Sequence, residues 1–403
     1  MLGLDDIRRA RERLRDQVVP TPCSFTTRFS DLVPGAVALK LENHQHTGSF
    51  KARGALNRLL ELTEEEKGRG VVTASAGNHA QAVAYHSARL GISATVVMPL
   101  TTPLIKVSNT RRYGAGVELV GSTFDAALAH ARKLEAEDGR VMIHAFDDDR
   151  VIAGQGTIGI EIVEQAPNLD VVVVPIGGGG LVAGIATAVK ALRPEVRVIG
   201  VEASAAASAR ASLKAGRIVE IETADTIADG IAVKRVGERT FPSIREWVDE
   251  IVVVDDDTIA RAILLLLERE KTVVEGAGAA SLAALLAGHV EHEATERVVA
   301  VIAGGNIDVN MISRIIDRGL VDDGRLTRLV ATVRDRPGAL ALLTELVAST
   351  GANVLEVSHL RAFADISVGD VEIVLQLETH GRGHVEEILR LMEAKGVPVR
   401  QAV

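Results

Sequence analysis

The sequence predicts an α/β protein: two doubly wound parallel halves followed by a smaller β-α-β-β-α-β unit of ferredoxin-like type. Three observations carry this. Hydrophobic residues make up 47% of the 403 but aromatics only 2%, so the core must be built from Val, Leu, Ile and Ala, which suits parallel layers. From residue 70 to 201 short β-rich runs alternate with helical runs, and after Asp322-Asp323-Gly324 the rhythm changes. A chain of this length has room for two or three domains of about 100–200 residues each.

In order, the chain opens on a charged helical pattern over 1–15, then an apolar strand over 37–41 and a helix over 52–62. The first βαβ series follows: a strand over 71–73, a helix from Asn78, a strand over 94–98, a helix from Leu104 and a strand over 117–120. A second series has a helix after Arg150, the run Val171-Val172-Val173-Val174, a glycine loop, a helix to Leu192 and a strand over 196–201. Two such series place a ligand in the crevice beyond the strand carboxyl ends. Past the Asp322-Asp323-Gly324 linker come a strand over 326–333, a helix over 338–349, strands over 353–360 and 371–377, a helix over 384–394 and a last strand over 397–399.

Charge and cysteine usage narrow the function. Forty-five basic against fifty-four acidic residues give a net charge of −9, which argues against a binder of nucleic-acid phosphates. No polybasic segment and no apolar run near ~18 residues points to a membrane, so the expected partner is a small molecule and the expected compartment the cytoplasm. Cys23 is the only cysteine, which excludes an internal disulfide and a thiolate-rich metal site.

Three segments carry chemistry. Lys51 stands in Thr47-Gly48-Ser49-Phe50-Lys51-Ala52-Arg53-Gly54, between an apolar strand and a helical run. There the helix dipole and neighbouring Arg53 disfavour a further charge, lower the lysine pKa, and favour the neutral amine that forms Schiff bases. Gly177-Gly178-Gly179-Gly180, between a strand and a helix, lets consecutive backbone N–H groups converge on a phosphate. Gly178 to Ala183 also satisfies the dinucleotide fingerprint, with Glu202 at about the ~20-residue interval of a ribose ligand, so a nicotinamide dehydrogenase is a rival reading. Ser75-Ala76-Gly77-Asn78-His79 opens a helix, and its free N–H groups suit a substrate carboxylate. Asn78 offers an amide to a phenolic oxygen, while His79 at a helix end reads as structural more readily than as a base.

Taken together with Ala228-Asp229-Gly230-Ile231-Ala232-Val233 and Val274-Glu275-Gly276-Ala277-Gly278, these segments resemble the fold-type II pyridoxal-phosphate enzymes, specifically the threonine ammonia-lyase (threonine dehydratase) family with a C-terminal ACT domain. The resemblance covers nearly the whole chain. It implies the tryptophan-synthase-β-like fold, with a large cofactor-binding domain over 1–40 and 147–321, a small mobile domain over 41–146, and an ACT domain over 326–403. It implies Lys51 as Schiff-base lysine and base at the substrate α-carbon, Phe50 beside the ring, Asn78 on the phenolic oxygen, and Gly177, Gly178, Gly179 and Gly180 on the phosphate. Ser75, Ala76, Gly77, Asn78 and His79 would hold the substrate carboxylate, and Asp335, Arg336, Gly338 and Asn353 an amino-acid effector. The implied reaction turns L-threonine into 2-oxobutanoate and ammonia, in a homodimer or homotetramer.

Two positions depart from the pattern. Ala303 stands where a serine usually faces the pyridine nitrogen, and its methyl group cannot donate a hydrogen bond. Ala76 replaces the serine that acts on the opposite face in the related serine racemases, which disfavours racemisation. Glu202 matches one acidic ligand of the racemase-type metal site, but Ser208 stands in place of the second, so no metal is expected. Glu275 is read either as lining the cleft or as capping a helix, and Asp229 as a turn residue at a domain contact. A regulatory binding protein without turnover remains the third reading.

Overall fold

The computed structural model describes residues 2–361 and 366–402. The chain divides into two compact units, Met1–Ile307 and Asp308–Val403.

The first unit holds two sheets. The chain enters with α1 (Leu4–Leu14), β1 (Cys23–Thr26), β2 (Ala36–Leu41), α2 (Lys51–Leu60) and α3 (Glu64–Arg69). Then β3 (Val71–Ala74), α4 (Asn78–Arg89), β4 (Ala94–Met98), α5 (Leu104–Arg112), β5 (Gly116–Leu119), α6 (Phe124–Asp138) and β6 (Val141–Met142) build an all-parallel four-stranded sheet in the order β5-β4-β3-β6. After α7 (Asp149–Gln165) come β7 (Val171–Pro175), α8 (Gly180–Leu192), β8 (Arg197–Ala203), α9 (Ser208–Ala215), α10 (Thr240–Trp247), β9 (Glu250–Val254), α11 (Asp256–Leu265), α12 (Gly276–Leu286) and β10 (Arg297–Ile302). The larger sheet runs β1-β2-β10-β7-β8-β9, parallel except for β1. Every residue of β4 and β7 is buried, as expected of strands covered by helices on both faces.

α2 starts at Lys51 and is held against α7 by backbone contact. A Cβ on Gly54 would stand 2.7 Å from the Val151 carbonyl oxygen, and one on Gly154 would stand 2.6 Å from Gly54 Cα. Only glycines permit that approach, and it fixes the helix that carries the lysine.

The second unit comprises α13 (Val309–Asp322), β11 (Leu326–Arg334), α14 (Ala339–Ser349), β12 (Asn353–Leu360), β13 (Asp370–Glu378), α15 (Arg382–Ala394) and β14 (Val399–Ala402). From β11 onward this is the β-α-β-β-α-β series, as an antiparallel sheet in the order β12-β13-β11-β14. Along β13 only alternate residues, Val371, Ile373, Leu375 and Leu377, are fully buried, the pattern of a sheet with one face on a core. The last strand begins two residues later than the sequence predicts. The Val397 N–H donates to the Met392 carbonyl at the end of α15, and Pro398 has no N–H for a ladder. Among the described residues no helix is long and apolar enough to cross a membrane.

Candidate active site

Lys51 is positioned by a loop that runs along the end of β10. Phe50 N–H donates to the Ala303 carbonyl (3.0 Å), Ser49 bridges Gly304, Gly305 N–H donates to the Gly48 carbonyl (2.9 Å), and Asn306 Nδ2 donates to the Thr47 carbonyl (2.7 Å). The Lys51 ammonium donates to the Ala145 carbonyl at 2.7 Å and lies 5.0 Å from the centre of the Phe50 ring. Burial lowers its pKa to about 8, against the opposing charge of Glu275. Neighbouring Arg53, expected beside the helix dipole to lower it, is not a cause. The Arg53 guanidinium is fully buried and neutralised by a fork on Glu42 (2.8 and 2.8 Å) and contacts to Glu161 (2.5 and 2.9 Å).

The tetraglycine loop joins β7 to α8. Among the described residues no acceptor meets the N–H groups of Gly177, Gly178, Gly179 or Gly180, while the Gly178 carbonyl accepts from Gly237 N–H (3.1 Å) and Thr240 Oγ1 (2.8 Å). The loop is thus held by its carbonyl and leaves its amides at the positive end of α8. Gly179 adopts φ +93, and a Cβ on Gly178 would stand 2.3 Å from the Phe146 ring. Phe146 directly follows Ala145, so the glycine loop and the Lys51 ammonium flank one short segment. Gly178→Ala is expected to force Phe146 or the loop aside and weaken cofactor affinity about tenfold or more, read by titrating the apoprotein with pyridoxal phosphate.

Glu202 does not act as a ribose ligand. Its carboxyl is fully buried and accepts from the N–H groups of Ala209 (2.7 Å) and Arg210 (2.8 Å), capping α9; burial nevertheless pushes its pKa up to about 7. The dinucleotide reading loses its acidic residue. Among the described residues Ser208 Oγ is buried without a hydrogen-bond partner, and no group of three or more His, Cys, Asp or Glu is arranged to hold a metal.

The segment between β3 and α4 has a second set of open amides. Among the described residues no acceptor meets the N–H groups of Ala76, Asn78 or His79, while Gly77 N–H donates to Ser75 Oγ at 3.3 Å. The His79 ring is buried and hydrogen-bonded through Nε2 to the Ile143 carbonyl at 2.9 Å. Burial, with the Lys51 charge second, lowers its pKa to about 3, so it is a neutral wall residue rather than a base. Asn78 Nδ2 donates to Glu275 Oε1 (2.5 Å), and Asn306 Nδ2 donates to Asn78 Oδ1 (2.7 Å). Glu275 occupies the N-cap position of α12, yet its side chain caps nothing there; the carboxyl turns to Asn78 and lines the cleft. Asp229 lies in a tight turn, with Lys106 of α5 at 2.5 Å.

Sequence reasoning misses Asn306, Ala145 and Phe146. Asn306 lies three residues after Ala303, but no role falls to it from the sequence, and its pairing with Asn78 spans 228 positions. Of the effector residues, Asp335, Arg336 and Gly338 share the turn after β11, where Asp335 pairs with Arg361 (2.8 Å). Asn353 is not brought to them. It pairs with Glu378 at one end of β13, whereas Arg334, next to Asp335, pairs with Asp370 at the other, about 27 Å away at ~3.4 Å per residue.

Comparison with known proteins agrees with this geometry. Residues 14–304 match the family described as pyridoxal-phosphate dependent enzyme. The chain is 49% identical over 400 residues to the L-threonine ammonia-lyase of Thermotoga maritima, covering 99% of each chain. Among solved structures it is similar to threonine deaminase isoform 2 of Solanum lycopersicum (TM-score 0.74, 40% identity, 78% of this chain and 86% of that one). It is also similar to maize serine racemase (TM-score 0.75, 35% identity, 80% and 98%). A lysine with a lowered pKa, two sets of open amides and a family match across nearly three quarters of the chain converge: this chain belongs to the family of pyridoxal-phosphate dependent enzymes.

Proposed function

We propose that the protein dehydrates and deaminates L-threonine to 2-oxobutanoate and ammonia, and L-serine to pyruvate. The observation that carries the reading is the Lys51 amine, with its pKa lowered to about 8, beside a segment whose other side packs on Gly178. The residues fit pyridoxal phosphate. The open amides of Gly177 to Gly180 would hold its phosphate, Lys51 its aldehyde carbon and Asn78 its phenolic side, with Phe50 beside the ring and Ala303 toward the pyridine nitrogen. When bound, the cofactor supplies an electron sink for charge developing at the substrate α-carbon.

The chain's own groups do the rest. The amides of Ala76, Asn78 and His79 orient the substrate carboxylate at the start of α4. The Lys51 amine removes the α-proton, a transfer that its lowered pKa brings close to neutral pH. Ala76 presents no hydroxyl to return a proton on the opposite face, so the reaction runs to elimination. In this reading the small domain over 41–146, carrying Lys51 and the substrate loop, moves against the large domain over 1–40 and 147–321. The ACT domain over 326–403 regulates through an amino acid bound at the turn of Asp335, Arg336 and Gly338. The enzyme acts as a homodimer or homotetramer in the cytoplasm.

A substrate panel assayed for 2-oxo acid, with and without isoleucine and valine, tests this. L-Threonine is expected to be turned over best, with L-serine second. No 2-oxo acid from any β-hydroxy amino acid, or D-serine formed from L-serine faster than pyruvate, would overturn it.

A further inference from the structure

The Glu275 carboxyl has no role in the steps above, yet it is buried beside them, and among the described residues no cation is in contact with it. Two donors and two glycines surround it. Asn78 Nδ2 at the start of α4 donates to Oε1 at 2.5 Å, the Asn306 N–H beyond β10 also donates to the carboxyl, and Gly304 and Gly230 leave it room. A Cβ on Gly304 would stand 2.4 Å from Glu275 Oε1, and one on Gly230 3.4 Å from it. The charged groups facing it are Lys51 at the start of α2, Asp229 next to Gly230, and Lys106 of α5 paired with Asp229 at 2.5 Å.

The hydrogen-bond network admits one arrangement. The Thr47 carbonyl can only accept, so the Asn306 atom facing it at 2.7 Å is Nδ2, and that same nitrogen faces Asn78 at 2.7 Å. The Asn78 atom on that side is therefore Oδ1, and its Nδ2 must face Glu275. One N–H then remains on Asn78 Nδ2 with no further acceptor among the described residues, and it is free for an acceptor on a ligand. The residue expected to meet a phenolic oxygen is thus set in orientation by Asn306 on one side and Glu275 on the other.

Resting on the function proposed above, we infer that Glu275 is a positioning residue: through Asn78 it aims one N–H at the phenolic side of the cofactor, and the Lys106–Asp229 pair on its outer side tunes the charge it presents to the ring. Burial pushes the Glu275 pKa up to about 7, Asp229 pushes it the same way, and the Asn78 hydrogen bond and the Lys106 charge act against them. The carboxyl therefore changes charge near neutral pH, and the hydrogen bond it accepts from Asn78 would carry that change toward the phenolic side of a bound cofactor.

The visible absorption of the holoenzyme, recorded from pH 5.5 to 9 without substrate, tests this. The wild type is expected to show a spectral transition near pH 7 that Glu275→Gln removes. Asp229→Asn removes a charge that raises the Glu275 pKa and moves the midpoint down; Lys106→Ala removes one that lowers it and moves the midpoint up, each by about 0.5 pH unit. A purely structural role for Glu275 would leave the midpoint where it is in the two outer variants. A midpoint unchanged in Glu275→Gln, or unmoved in both outer variants, overturns the inference alone. A wild-type protein that forms no visible band with pyridoxal phosphate overturns the proposed function and this inference with it.

Discussion

Lys51→Ala is expected to abolish the visible absorption band of the bound cofactor and to lower 2-oxo acid release from threonine by about 10³-fold or more. On the proposed function two roles meet in this one amine: it joins the cofactor aldehyde, and it moves the substrate α-proton. Alanine removes both while keeping a strong helix former at the first residue of α2, so the fold is retained. Lys51→Arg is expected to fail as well, because a guanidinium stays charged and cannot accept the proton. The pH dependence follows from burial. An ordinary lysine is almost wholly protonated at neutral pH, whereas a pKa of about 8 makes the neutral form rise about tenfold per unit up to that value and then level off. The rate at which the apoprotein takes up pyridoxal phosphate should follow that curve, measured by stopped-flow absorbance. Retention of the band in Lys51→Ala would sink the assignment.

What the sequence makes legible are positions whose demands are local. Lys51 lies at a strand-to-helix junction marked by small residues, and the tetraglycine loop between β7 and α8 marks a place where side chains cannot fit. The β-α-β-β-α-β series is readable because alternation along β13 and helical spacing in α14 and α15 differ in period. What escapes the sequence is pairing across distance. Asn78, Glu275 and Asn306 come from three separate segments, and nothing near any one of them names the other two. Adjacency also misleads. Arg53 stands two residues from Lys51 but turns its charge to Glu42 and Glu161, on the side of α2 that packs on α7. Glu202 stands at the interval of a ribose ligand, but its carboxyl is consumed by the first amides of α9.

The largest stability effect is expected at that buried arginine. Arg53 is fully enclosed, its two carboxylate partners lie at 0% and 14% side-chain exposure, and Lys40, also fully buried, donates to Glu161 at 2.5 Å and to the Thr21 carbonyl at 2.6 Å. Desolvating such a group is costly, and only the complete network offsets it. Arg53→Ala leaves Glu42 without its fork and Glu161 with Lys40 alone, so a loss of about 3–5 kcal/mol is expected from denaturant unfolding at pH 8. The loss should shrink on acidification, for a definite reason. In the wild type burial pushes the Glu161 pKa up, but the charge and hydrogen bond of Arg53, with help from Lys40, bring it below the ordinary 4.5. Its contribution to stability is therefore present above 4.5 and lost only as pH falls through the lowered folded value. Without Arg53 the burial effect dominates, the folded pKa rises above the unfolded one, and the penalty grows as pH climbs from 4.5 through that raised value. Unfolding midpoints of Arg53→Ala and wild type should therefore lie closer at pH 5 than at pH 8. Because α2 begins at Lys51, the same variant should also bind pyridoxal phosphate more weakly, linking this buried charge network to the placement of the amine.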